Sequence, residues 1–138
     1  CNKCNYECMK VNKCKYRYDD IYNLLDVSIS YNKIVFVVPM YCGNPSSLYF
    51  TLMERMQDYF NSNESNYPLF VNKLHIIGIY GSNEETPLFI PLISSILDNK
   101  DKCLPIQRHK YEIKMNDLVI NNKYILSLLD SYKIKMGL

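Results

Sequence analysis

One stretch constrains this chain more than any other: Lys33-Ile34-Val35-Phe36-Val37-Val38, which runs into Pro39 and is soon followed by Gly43 and a pair of serines. It is apolar, rich in β-branched residues and does not alternate with polar ones. Such a strand is expected to be buried on both faces, as central strands of a parallel sheet are when helices cover them. Leu74-His75-Ile76-Ile77-Gly78-Ile79-Tyr80 is a second run of this kind and ends at Gly81-Ser82-Asn83. A weaker third strand is expected over 108–114, where Tyr111 and Ile113 alternate with charged residues in the manner of an edge strand.

Helical periodicity fills the intervals. Asp19-Asp20 reads as an N-cap ahead of Ile21, Leu24 and Leu25. Ser46 or Ser47 can cap a helix with Leu48, Leu52, Met53, Met56, Tyr59 and Phe60 on one face. Thr86-Pro87 is a cap followed by a proline suited to the first helical position. Leu88, Phe89, Leu92, Ile93, Ile96 and Leu97 then share a face, with Pro91 expected to kink the helix. A last helix is expected from about Asp117 to Tyr132, and 61–68 reads as a polar loop.

Strands alternating with helices give an α/β fold with a parallel sheet. The expectation is a doubly wound, three-layer domain spanning residues 1–138 as one unit. Hydrophobic residues at 48% and charged residues at 22% suit a packed core rather than a disordered chain. A net charge of +2, with the basic residues scattered, gives no nucleic-acid stripe. No apolar run is long enough to cross a bilayer and no signal-peptide pattern appears, so the expected setting is cytoplasmic, without a membrane partner.

Ligands of open parallel sheets bind beyond the strand C-termini, which directs attention to 39–47 and 81–85. In Pro39-Met40-Tyr41-Cys42-Gly43-Asn44, glycine permits close approach or positive φ, the proline stiffens, asparagine offers polar groups and tyrosine offers a flat face. A planar heterocycle would suit that set. An ordinary strand-to-helix turn favours the same residue types, and from the residues alone both readings stay open.

Asp19-Asp20, the strand ending at Pro39, the Pro39-Met40-Tyr41-Cys42-Gly43-Asn44-Pro45-Ser46-Ser47 loop and Glu54-Arg55 together resemble the NADPH-dependent FMN reductase branch of the flavodoxin-like superfamily, which has iron–sulfur flavoproteins as close relatives. The likeness covers roughly the first 60 residues and rests on a Pro-x-Tyr-x-Gly loop at the right spacing. It implies bound FMN, with Pro39, Met40, Tyr41, Cys42, Gly43 and Asn44 against the isoalloxazine ring and Gly81 and Ser82 approaching from the next strand. Ser47 and Arg55 match positions used near the flavin or at a dimer interface. The implied activity is oxidoreduction, hydride passing from NAD(P)H to the flavin and electrons then to an acceptor, in a homo-oligomer. Neither the acceptor nor the choice of NADH or NADPH is legible. The family's first strand and its phosphate loop precede the cysteines, and no counterpart of either occurs in these residues; the chain opens on Cys1, which points to further sequence upstream. A lipid-modified cysteine is the competing account of that start.

Four of the six cysteines read Cys1-x2-Cys4-x3-Cys8-x5-Cys14. Reduced thiols with no metal are the preferred reading, a [4Fe-4S] iron–sulfur cluster on Cys1, Cys4, Cys8 and Cys14 an alternative, and zinc a third. The competing reading of the chain is a non-enzymatic or electron-carrier domain: a flavodoxin-like protein with the cluster, or a fold remnant acting only through interactions. Cys42 and Cys103 read as isolated thiols, with packing the first expectation. His75, inside a strand, reads as a core residue and His109 as a solvated one. Lys100, Lys102, Arg108 and Lys110 form a loose basic group, by default solvated, with a dinucleotide phosphate as the minor reading.

Overall fold

A computed structural model of the protein describes residues 7–11, 14–15, 19–85, 87–114 and 117–137. The helices are α1 (Cys8–Val11), α2 (Asp20–Ser30), α3 (Ser47–Ser62), α4 (Asn66–Lys73), α5 (Phe89–Ser94) and α6 (Lys123–Met136). The strands are β1 (Ile34–Tyr41), β2 (Asn44–Pro45), β3 (Leu74–Tyr80) and β4 (Cys103–Gln107), in sheet order β2-β1-β3-β4. β3 and β4 run parallel and β1 and β2 antiparallel in a mostly parallel sheet. The fold is therefore α/β, as expected of a flavodoxin-like domain without its first strands. No helix among the described residues is long and apolar enough to cross a membrane.

Two compact units form. One comprises the described residues of Cys1–Ile34 and Ser47–Leu74 and is helical; the other comprises Val35–Ser46 and His75–Leu138 and holds the sheet. In the helical unit, Asp19 caps α2 by accepting from the Tyr22 N–H at 3.2 Å. The rings of Tyr22, Tyr59, Phe60, Tyr67 and Phe70 meet at centroid distances of 5.0–5.3 Å, a spacing and tilt that favour edge-to-face contact. Lys73 Nζ donates to the Ile29 carbonyl at 2.6 Å and joins α4 to α2.

In the sheet unit, β3 is covered on both faces. Gly78 and Tyr80 face α5, where Ile93 and Phe89 are fully buried. Ile77 and Ile79 face the opposite way, into a cluster built on Ile106, Ile113 and Ile125 of α6. On that same side His75 is buried and its Nδ1 lies 3.2 Å from the Tyr132 hydroxyl, which in turn donates to the Lys102 carbonyl at 2.6 Å. The imidazole is thus the packed core residue that its place in an apolar strand implied.

Several expectations need correction. The third strand is Cys103–Gln107, not 108–114; the latter begins as a turn and continues as a 3-10 turn over His109–Tyr111, with Glu112 left-handed at φ 55°. Pro105 conceals the strand, since a proline is tolerated there only because β4 is the edge of the sheet. Tyr111 and Ile113 are apolar because they pack against the α6 cluster from that turn. The polar loop 61–68 is mostly helix: α3 runs to Ser62 and α4 starts at Asn66, with Pro68 in its first turn, where a missing N–H costs nothing. Similarly, α5 is only Phe89–Ser94, so Pro91 sits in its first turn and not in a helix interior. Thr86 lies outside the described residues. The final helix starts at Lys123, capped by Asn122, whose Oδ1 accepts from the N–H groups of Tyr124 and Ile125, and Gly137 closes it at φ 63°.

Two burial patterns also differ from expectation. On α3 the buried face is Tyr49, Arg55, Met56, Asp58, Tyr59 and Phe60, and Leu48 is exposed. On β1, Val35 and Val37 are 42% and 58% exposed while Ile34 and Val38 are buried, so this strand is covered on one face only.

Candidate functional site

β1 and β3 are neighbours in the sheet, and the two loops singled out by the sequence leave their C-terminal ends. The first is a two-residue hairpin. β1 continues through Pro39 and Met40, Met40 pairs with Pro45, and Tyr41 pairs with Asn44. Cys42 and Gly43 make the turn at φ 48° and 81°. Positive φ at both central residues marks a type I′ turn, whose twist matches that of the strands it joins. Gly43 is easy in that conformation; Cys42 is not, because an L side chain in the left-handed region crowds its own carbonyl. A Cβ on Gly43 would meet nothing within 4 Å, so the turn, not a close neighbour, requires glycine there. Tyr41, Cys42, Gly43 and Asn44 are exposed, and Pro39 and Met40 are half-buried. Asn44 Nδ2 donates to the Cys42 carbonyl at 3.3 Å. Cys42 therefore has no packing role, contrary to expectation. Pro45 is buried, and α5 packs against β2, which anchors the base of the hairpin.

The second loop is held by side chains from the strands beneath it. Gln107, the last residue of β4, donates from Nε2 to the Ser82 carbonyl at 2.9 Å and to the Glu84 carbonyl at 3.3 Å. The Tyr80 hydroxyl donates to the Glu85 carbonyl at 3.0 Å. Burial raises the Tyr80 phenol, with Glu85 adding to the effect, so it stays a donor at neutral pH. Within the loop, Ser82 Oγ accepts from the Glu84 N–H at 3.1 Å. The Arg108 N–H donates to the Tyr80 carbonyl at 2.8 Å, extending the β3–β4 ladder, and His109 Nε2 lies 4.0 Å from where a Cβ on Gly81 would be. Gly81 is exposed and Ser82 half-buried.

Gln107 is not legible as a site residue in the sequence, because the alternation that suggests a strand begins after it, at Arg108. Both loops are largely exposed, Tyr41 among the most exposed of their side chains.

Other expected residues lie elsewhere. Arg55 is buried within the helical unit. It makes a two-pronged ion pair with Asp19, Nε at 3.0 Å and Nη2 at 2.8 Å, and its Nη1 reaches Asp58 at 3.4 Å and the Cys14 sulfur at 3.1 Å. Its guanidinium also lies 5.1 Å from the centre of the Tyr22 ring. Arg55 joins the N-terminal segment, α2 and α3. Ser47 is the exposed first residue of α3. Of the N-terminal cysteines, Cys8 and Cys14 are buried, and Cys1 and Cys4 lie outside the described residues. Among the described residues no three His, Cys, Asp or Glu side chains are grouped to hold a metal ion. Cys103 is half-buried on β4, and burial pushes its thiol up to about 11. In the basic group, Lys102 pairs with Asp98 at 2.8 Å and Arg108 donates to the Lys114 carbonyl, while Lys100, His109 and Lys110 are exposed.

No family model, curated protein or solved structure matches the chain.

Proposed function

We propose that this protein binds FMN at the β1 hairpin and the loop after β3, and passes electrons from NAD(P)H through the flavin to an acceptor. The observation that carries this reading is the placement of 39–44 and 81–85 at the C-terminal ends of adjacent strands of a mostly parallel sheet, where such folds take their ligands. The likeness of the hairpin to the FMN reductase loop supports it. So does the left-handed Cys42 at the tip, since non-glycine residues in that region cluster at ligand clamps.

In this reading Tyr41 lies along a face of the ring, and backbone groups of Gly43, Asn44, Gly81 and Ser82 meet its polar edge. The flavin supplies the hydride chemistry; the protein orients it and limits access of water, and no side chain acts as general acid or base. The test is Gly43→Val in the full-length protein. A β-branched residue is strained at φ 81° and reshapes the hairpin, so flavin retention should be lost while the protein stays folded. Flavin content equal to the parent protein in that variant overturns the assignment.

A further inference from the structure

We propose that Gln107 is a positioning residue that sets the shape of the loop 81–85 for its ligand. This rests on the flavin reading above. Gln107 ends β4, and the parallel register places it beside Tyr80, the last residue of β3. From there one amide nitrogen reaches into the loop and collects the carbonyls of Ser82 and Glu84 at 2.9 and 3.3 Å. Tyr80 takes the next carbonyl, that of Glu85. Three carbonyls of one short loop are therefore turned toward the strand ends.

The peptide bonds are trans, and in a trans peptide the N–H points opposite to the carbonyl. Drawing in the Ser82 and Glu84 carbonyls thus turns the N–H groups of Asn83 and Glu85 the other way, away from Gln107. The loop then offers these two backbone donors, while the Glu84 N–H between them is held by Ser82 Oγ; a pair of donors suits the electron-rich carbonyl and ring-nitrogen edge of a heterocycle. Without the Gln107 amide, the Ser82 and Glu84 peptides are free to rotate and the donors are no longer aligned.

Glutamate at 107 keeps the shape but presents only acceptors to two carbonyls. Leucine keeps the bulk without a donor. Lysine restores donors on a chain long enough to reach. The experiment measures, in the full-length protein, amide hydrogen exchange in 81–85 without flavin and the FMN dissociation constant by fluorescence quenching. Q107L and Q107E should each speed exchange in 81–85 and weaken FMN by about tenfold, the loss of one well-made hydrogen bond, and Q107K should recover both. Exchange in 81–85 unchanged in Q107L overturns the inference, as does faster exchange with FMN affinity kept; in either case the flavin reading stands. Failure of the parent protein to bind FMN overturns the flavin reading and the ligand role of Gln107 together, whatever the exchange shows.

Discussion

Gly43 and Gly78 show two separate reasons for a glycine, and substitution should tell them apart. Gly43 has open space around it and a positive φ; Gly78 has an ordinary φ but a Cβ there would lie 2.5 Å from Ile93 Cδ1 and 3.1 Å from Phe89 Cε1. Both neighbours are fully buried and have little room to yield. Gly78→Ala should therefore lower stability by about 1–3 kcal/mol through overpacking under α5. Gly43→Ala should cost about 1 kcal/mol through backbone strain. Replacing Gly78 by valine should worsen matters again, whereas Gly43→Asn should be close to neutral, because asparagine tolerates the left-handed region. The neighbouring Cys42→Asn should gain stability for the same reason, as type I′ turns favour Asn-Gly. Urea midpoints of these variants decide the matter, and a destabilised Cys42→Asn would contradict the turn assignment.

Among the elements, α2 and α3 are joined by a reciprocal pair of hydrogen bonds, the first buried and the second partly so. Tyr22 of α2 donates to Asp58 of α3, and Tyr59 of α3 donates to Asp26 of α2 at 2.5 Å. Burial, and after it the hydrogen bond to Asp26, pushes the Tyr59 phenol up to about 12; Tyr22 is raised further, again by burial first and Asp58 second. The folded protein therefore holds these protons more tightly than the unfolded chain, in which tyrosine titrates near 10. Their contribution is complete below about pH 10 and falls as pH rises toward about 12. Denaturation of the Tyr59→Phe variant should show a shallower alkaline loss than the parent; an unchanged slope would remove Tyr59 from the account. Arg55 completes this joint, and Asp58 Oδ1 is already buried with no hydrogen-bond partner. Arg55→Met leaves that carboxylate without its cation and should cost about 3 kcal/mol or more. Adding Asp58→Asn should recover part of the loss, which a double-mutant cycle reads directly.

Asp19 was legible as the α2 cap because a carboxylate ahead of an apolar period has few other uses, and β3 because its apolar run is bounded by glycine. β4 was hidden by Pro105, which only its edge position makes tolerable, and α4 by the prolyl and polar residues of its first turn. α6 began later than its periodicity indicated because Asn122, with two N–H groups on its Oδ1, outcompetes Asp117 as a cap; Asp117 instead accepts from the Lys114 N–H at 3.0 Å. The one-sided burial of β1 was not legible at all, since an apolar run carries no record of which neighbour covers it.

For the molecule as a whole, the candidate site was legible as two loops but not as a construction. Tyr41, Gly43 and Gly81 stand out by residue type. The type I′ turn at Cys42-Gly43 and the Gln107 clamp depend on a register between β1 and β2 and on the position of β4, and neither is written in a local pattern. The loops are proposed to carry the ring of FMN, and flavin content tests this without intermediaries. Full-length protein, purified and then incubated with FMN and freed of excess, is denatured, and the released flavin is counted against chains. The expected result is stoichiometric FMN that NADH or NADPH reduces without oxygen, and its loss in Gly43→Val. A folded protein that neither retains nor takes up FMN contradicts it.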